Sequence, residues 1–383
     1  MNCAVVLETL PGDIYTCPSC GVLRPIGGIF LALALYLIGT PGAGKSTVFD
    51  ALTNTPQGTH FSTKGQHRLG SVKVPDERLE QLRDLYRPKK YTPTEINFVD
   101  VGLPPGAQEQ RSLGELTTFL GDADAFLLVL QGFGEFDYRG DPVDPKRQLD
   151  AMALELVVAD LEKVERRLER LLQETQKGNK GSGQEADLLT RCKTHLEAEG
   201  ALRTLDFSEE QDKLLRGFQF LSQKPVLVVL NVEEGAQPSQ EIEAACQAYG
   251  FEQMAFCATV EAEIAQLEID EQRAFLADYG IQEAARPRLI RAAYRLLHLV
   301  SFFTVGEDEV RAWTIQAGTP AQLAAGKIHS DIERGFIRAE TVHYADLIEQ
   351  GAWSKCRDQA LLRLEGKTYP VQDGDVINFR FNT

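Results

Sequence analysis

Basic residues are the scarce class in this 383-residue chain. Forty Lys and Arg stand against 56 Asp and Glu, a formal net charge of −16. That excludes a uniformly basic polyanion binder, although a local basic strip stays open. Long apolar runs are missing too. The longest, Ile29 to Ile38, has ten residues, half the ~20 that a membrane-spanning helix needs. It lacks a basic leader segment and runs into a glycine-rich loop instead of a cleavage site, so it is expected to be a buried parallel strand, with no membrane association. Cysteine is sparse and odd in number: Cys3, Cys17, Cys20, Cys192, Cys246, Cys257 and Cys356. This pattern fits reduced thiols in a cytoplasmic protein. Cys17-Pro-Ser-Cys20 is one CxxC pair without a second, at most half a zinc site. What remains is ordinary: 43% hydrophobic and 25% charged residues, enough to build cores, in a chain long enough for two or three domains.

Three compositions follow one another behind a Pro- and Gly-rich extension, residues 1–28. From 29 to 144, and again from 217 to 303, apolar runs alternate with helical patterns. Ile29–Ile38, Ile96–Val101, Ala125–Leu130 and Pro225–Leu230 read as strands, and Ser46–Leu52 and Asp76–Leu85 as helices. Such alternation implies a parallel sheet with helical crossovers. Residues 145–216 are helical instead. Leu149, Met152, Leu156, Leu161, Val164, Leu168 and Leu171 recur at steps of three to five, the run 178–183 (GNKGSG) breaks the pattern, and Ser208-Glu-Glu-Gln211 forms a capping box. This predicts a helical hairpin inserted into the α/β domain. Residues 304–383 mix short strands (Ala312–Ile315, Gly335–Glu340, Leu361–Leu364, Val376–Phe381) with a helix near Thr319–Ile332, a small α+β module of the β-grasp kind.

The run Gly39-Thr40-Pro41-Gly42-Ala43-Gly44-Lys45-Ser46-Thr47 matches GxxxxGK[ST] between an apolar strand and an amphipathic helix. Its glycines let backbone N–H groups curl around phosphates, Lys45 adds a point charge, and the Ser46 hydroxyl suits Mg²⁺. Downstream, Asp100 ends a strand and Gly102 follows. In phosphate-loop GTPases such an acid orients a magnesium water and such a glycine senses the γ-phosphate. Thr94, just ahead, is the candidate switch threonine and metal ligand. Asn231-Val232-Glu233-Glu234 ends another buried strand with Asn-x-x-Glu, where Asn-Lys-x-Asp would capture guanine. The longer Glu234, and Val232 in place of Lys, weaken guanine capture and open the site to adenine. Cys257 and Ala258, in Phe256-Cys-Ala-Thr259, offer backbone contacts to a base.

These residues resemble the YchF family of Obg-like, translation-associated nucleotide hydrolases from about residue 36 to the end. The longest matching stretches are Asp141-Pro-Val-Asp-Pro145, Ser301 through Ile315, Ile328 through Glu340 and Val371 through Phe381. The resemblance implies a Ras-like nucleotide domain, an inserted helical domain and a C-terminal TGS domain. It also implies Mg²⁺, ATP bound at least as well as GTP, and a ribosomal partner, RNA or protein. The chain departs from the family in three ways. Asp100-Val101-Gly102 is one residue shorter than the family's Asp-x-x-Gly. Phe119 aligns where the family carries a histidine that positions the attacking water, which predicts slow turnover. The extension has no family counterpart. Two functions follow: a translation-associated ATP/GTP hydrolase, or a nucleotide-gated ribosome- or RNA-binding module with little hydrolysis. In either, a monomer is expected, with Lys327, His329, Arg334 and Arg338 as an RNA-facing strip or a solvated face balanced by Asp331 and Glu333.

Overall fold

The computed structural model describes residues 14–16, 23–25, 33–54, 67–101, 119–176, 183–278 and 283–382. In chain order its elements begin β1 (Ile14–Thr16), β2 (Leu23–Pro25), β3 (Ala34–Ile38), α1 (Lys45–Thr53), β4 (His67–Lys73), α2 (Glu77–Tyr86), β5 (Lys90–Thr92), β6 (Glu95–Val101) and β7 (Ala125–Gly132). Then come α3 (Pro145–Gln176), α4 (Gly183–Glu197), α5 (Glu209–Leu215), β8 (Val226–Val232), α6 (Gln240–Ala248), β9 (Glu252–Phe256), α7 (Ala258–Ile264), α8 (Ile269–Asp278) and α9 (Ala285–Leu296). The last part holds β10 (Leu299–Thr304), β11 (Glu309–Gln316), α10 (Ala321–Ile328), α11 (Ser330–Arg334), β12 (Phe336–His343), α12 (Tyr344–Gln350), α13 (Trp353–Asp358), β13 (Arg363–Glu365) and β14 (Asp375–Phe381). No described helix is long and apolar enough to cross a membrane. The elements form two units. One comprises Ala34–Pro75 and Glu95–Leu297; the other takes Asp76–Thr94 and the chain from His298 onward, with the β1–β2 pair.

The first unit is a six-stranded sheet in the order β4-β6-β3-β7-β8-β9. Its neighbours are parallel except β4, which runs antiparallel to β6. β7 and β8 are almost wholly apolar because helices cover both their faces. From β3 the chain visits β6 on one side and later β7 on the other. That reversal makes the C-terminal end of β3 the topological switch point, where open α/β sheets bind ligands.

α3 belongs to two cores. Its early turns bring Leu149, Met152 and Leu156 under the sheet beside Phe126 and Leu128. Its later turns pack Val164 and Leu171 on Leu188, Leu189, Cys192 and Leu196 of α4. The hairpin is thus rooted in the sheet's own core. Asp160, fully buried, accepts the backbone N–H groups of Leu221 and Ser222 at 2.8 and 2.6 Å and pins the returning chain. The Ser208–Gln211 capping box is formed reciprocally at the start of α5. The glycine-rich turn at 178–183 lies outside the described residues, save Gly183, which opens α4.

The second unit is a sheet in the order β13-β12-β14-β10-β11-β5. Adjacent β10 side chains point to opposite faces, as strand geometry requires. Phe302 meets Ala321, Ala324 and Ala325 of α10, whereas Phe303 meets Leu79 and Leu82 of α2 with Leu347 and Cys356. This corrects the domain boundary. Residues 76–94 were expected in the nucleotide domain, but α2 fills the second unit's core and β5 pairs in parallel with β11. Helical periodicity reports that one face is buried without saying against which sheet. Two smaller differences concern the tail and the extension. The helix expected at 319–332 is two, separated at His329, whose backbone is extended and whose Nδ1 accepts the Asp331 N–H. The extension holds the antiparallel β1–β2 pair, while Cys17 and Cys20 lie outside the described residues.

Candidate nucleotide-binding site

The loop from Gly39 to Gly44 bridges the end of β3 and the start of α1. Its three glycines all have positive φ, at 145°, 79° and 85°, a region closed to most side chains. At Gly39 a Cβ would lie 2.2 Å from the Val129 carbonyl oxygen, and at Gly44 it would lie 2.2 Å from Asn231 Nδ2. Space as well as backbone conformation therefore dictates glycine at both. Gly44 is the N-cap of α1 without a side-chain cap, so the first N–H groups of that helix are left for an anion. Lys45 curls back over the loop and donates to the carbonyls of Gly39 (3.0 Å) and Thr40 (2.8 Å). Burial lowers the Lys45 pKa, and the charge of Asp100 opposes that shift.

Asn231, at the end of β8, ties the loop to the next motif. Its Nδ2 donates to the Ala43 carbonyl at 3.1 Å, and its Oδ1 accepts the Ala258 N–H at 3.2 Å. Phosphate loop, Asn231 and the Cys257-Ala258 turn are thus one connected structure. Val232 is buried in the sheet's core, which makes it a packing residue. Glu234 is exposed. Its neighbour Glu233 accepts the Gly134 N–H at 3.1 Å and holds the loop after β7.

Further residues at the loop carry no motif. Gln148 Oε1 accepts from Thr40 Oγ1 (3.3 Å) and from the Gln131 N–H (2.9 Å). Gln131 Nε2 donates to the carbonyls of Phe133 and Phe136. Gln131 Oε1 and Gln148 Nε2 are buried polar atoms without a partner among the described residues. Phe133 and Tyr138 approach the Cβ positions of Gly44 and Gly42 at 3.7 and 3.5 Å. Only Gln148 follows a recognisable sequence landmark, the Asp141–Pro145 stretch.

The Mg²⁺ expectation fits part of this arrangement. Ser46 lies exposed in the first turn of α1, and Asp100 is a carboxylate only 1% exposed at the end of β6, close enough to Lys45 to act on its titration. Hydroxyl and carboxylate oxygens are the hard donors that Mg²⁺ takes. Thr94 does not join them. It precedes β6, whose C-terminal end carries Asp100, and six residues of strand separate the two by roughly 20 Å. β6 runs parallel to β3, so its start lies at the sheet edge opposite the phosphate loop. Thr94 is thereby excluded as switch threonine and as metal ligand. Gly102 lies outside the described residues.

Asp100 is instead held by Arg68 of β4. Nη2 and Nε of Arg68 donate to Asp100 Oδ2 at 2.6 and 3.2 Å, and Nη1 donates to Asp50 Oδ1 of α1 at 2.6 Å. Phe119 packs against Tyr36 of β3 and His67 of β4, with ring centroids 5.2 and 4.7 Å away. In the C-terminal unit, Arg334 is ion-paired to Asp331, which also lies 3.3 Å from His329. That part of the basic strip is locally balanced.

A family model described as "Protein of unknown function (DUF933)", YchF-GTPase_C, matches residues 299–382. A Bacillus subtilis protein named "Ribosome-binding ATPase YchF" is 41% identical over 366 residues, covering 92% of this chain and 100% of its own length. An Escherichia coli O157:H7 protein of the same name is 36% identical, covering 90% and 98%. The structure of the Schizosaccharomyces pombe YchF GTPase superimposes with a TM-score of 0.79 at 27% identity, covering 93% of this chain and 99% of that one. Phosphate loop, Asn231 tie and near-complete coverage agree: the chain belongs to the YchF family.

Proposed function

We propose that the protein is a Mg²⁺-dependent purine nucleoside triphosphatase that works as a ribosome-associated switch. One observation carries the reading: the Lys45 ammonium lies over its own phosphate loop, hydrogen-bonded to Gly39 and Thr40, at the topological switch point of a parallel sheet. A bound β,γ-phosphate takes over those donors, and the loop N–H groups and Lys45 then hold the charge that develops on phosphoryl transfer. When bound, Mg²⁺ neutralises phosphate oxygens, with Ser46 and Asp100 as the residues that hold it. The names of the bacterial relatives support ATP and the ribosome as substrate and partner. Asn231-x-x-Glu234 supports adenine over guanine, because the exposed Glu234 accepts from a base amine without the geometry of an Asp. We also take the protein to be a cytoplasmic monomer whose C-terminal module is of the TGS kind.

Single-turnover phosphate release with purified protein tests the hydrolase. Release from ATP that vanishes in Lys45→Ala supports it, and equal rates in the two proteins reject it. Calorimetry with both triphosphates tests base choice, and sedimentation with ribosomes in each nucleotide state tests the partner. A second reading, a nucleotide-gated binder with little hydrolysis, is favoured by Phe119. Its ring is packed between Tyr36 and His67, and it has no group that polarises water. Nucleotide-dependent ribosome binding without phosphate release would select that reading.

A further inference from the structure

An ion cluster beside Ser46 joins three segments of the first unit. Asp50 is on α1, which follows the phosphate loop. Arg68 is on β4, and Asp100 is the penultimate residue of β6. Side-chain exposure is about a tenth or less for all three: 10% for Arg68, 8% for Asp50 and 1% for Asp100. The guanidinium is forked, one arm on Asp50 and the other on Asp100, both at 2.6 Å. It lies over the Phe49 ring at 4.6 Å, and Nη2 reaches the Ser46 carbonyl at 3.4 Å. Among the described residues the cluster sets one guanidinium between two carboxylates.

We propose that Arg68 is a positioning residue that sets how strongly the site takes Mg²⁺. This rests on the assignment of Asp100 and Ser46 to the metal. Both Arg68 contacts to Asp100 fall on one oxygen, Oδ2. They hold that oxygen in place and neutralise part of the charge that would attract a divalent ion. Charges a few ångströms apart and shielded from water interact strongly, so a resident cation weakens the site for an incoming one. Asp50 moderates that effect, because it engages the other arm of the guanidinium. The cluster tunes metal loading from the layer behind the ligands, as outer-shell partners do. It also couples loading to the relative placement of α1, β4 and β6.

The two partners act with opposite sign. Arg68→Gln removes the cation that Asp50 and Asp100 share, and Asp50→Asn removes the carboxylate that competes with Asp100 for the guanidinium. The full-length protein is loaded with ADP and titrated with Mn²⁺, free ion being read by electron paramagnetic resonance and Mg²⁺ measured by competition. The expected result is a roughly tenfold lower half-saturating metal concentration in Arg68→Gln, a severalfold higher one in Asp50→Asn, and a return toward the native value in the double variant. A purely structural cluster would weaken metal binding in both single variants, and that result overturns the proposal, as does an unchanged titration in both. If Arg68→Gln does not fold, the Asp50→Asn shift alone decides. Native protein that binds ADP tightly but shows no saturable metal site defeats the metal assignment itself, an outcome distinct from unchanged variants with a normal native site.

Discussion

Asn231 donates its side-chain amide to the carbonyl of Ala43 at 3.1 Å, and so fastens the end of β8 to the phosphate loop. Its oxygen is occupied by the Ala258 N–H. Asn231→Ala leaves a buried carbonyl and a buried N–H unpaired, at about 1–3 kcal/mol each. We expect nucleotide affinity to fall at least tenfold with a lowered Tm, measured by fluorescent-nucleotide titration and thermal melts. Unchanged affinity would show that the tie does not shape the loop.

Gly44 and Gly134 form a matched test of space against backbone conformation. Both have positive φ, 85° and 72°. A Cβ at Gly134 meets nothing within 4 Å, whereas one at Gly44 lies 2.2 Å from Asn231 Nδ2. Gly134→Ala should cost about 1 kcal/mol in denaturant unfolding and leave nucleotide binding intact. Gly44→Ala should cost more and abolish binding. Equal effects would contradict the clash.

Asp160→Ala removes the acceptor of two buried N–H groups on Leu221 and Ser222. The expected loss is about 2–4 kcal/mol. Hydrogen exchange should show it first in the helical hairpin and in the chain leading into β8. Loss confined to the C-terminal unit would rule out this role.

Glu340 is held below its ordinary value chiefly by its hydrogen bond from Arg380, with burial opposing. An acid lowered in the folded state contributes stability that is complete above the usual carboxylate range and lost as pH falls through the folded value. Thermal melts from pH 6 to pH 3 should therefore drop more steeply for the native protein than for Glu340→Gln. Parallel curves would exclude the linkage.

Burial pushes the Cys192 and Cys246 thiols up to about 11. At pH 8 roughly one in a thousand is thiolate. Neither should react with iodoacetamide until the protein unfolds, whereas half-exposed Cys257 should label in the native state. Peptide mass mapping after timed alkylation checks this.

The phosphate loop was readable from sequence because its parts are consecutive and its chemistry is mostly backbone. The strands β3, β7 and β8 were readable for a related reason: strands covered on both faces are nearly continuous apolar runs. Thr94 is near Asp100 in sequence but not in space, because it precedes the start of β6 and Asp100 lies near that strand's other end. The intervening chain leaves for the other unit, so Thr94 re-enters at the far end of β6. Arg68 left no signal at all. It sits in an edge strand that alternates exposed and half-buried residues, and nothing local marks an arginine whose two partners are 18 and 32 positions away. Val232 holds the motif position of a lysine that would lie along a base, yet it is buried in the sheet's core. Its burial depends on the packing of α6 against the sheet, which the motif does not encode.

The assignment of α2 and β5 to the C-terminal unit has a consequence for biosynthesis. These elements emerge about 200 residues before the strands they join. At 5–20 residues per second they wait on the order of 10–40 s, with Leu79 and Leu82 lacking their final core. The first unit completes its sheet in the meantime, carrying a stretch it cannot bury. Contacts of such long sequence separation close late and slowly. A fragment beginning at His298 would contain most of the C-terminal sheet but lack its β5 edge and the helix under Phe303. The module that looks most separable along the chain is therefore the one that must wait for the whole chain to be made.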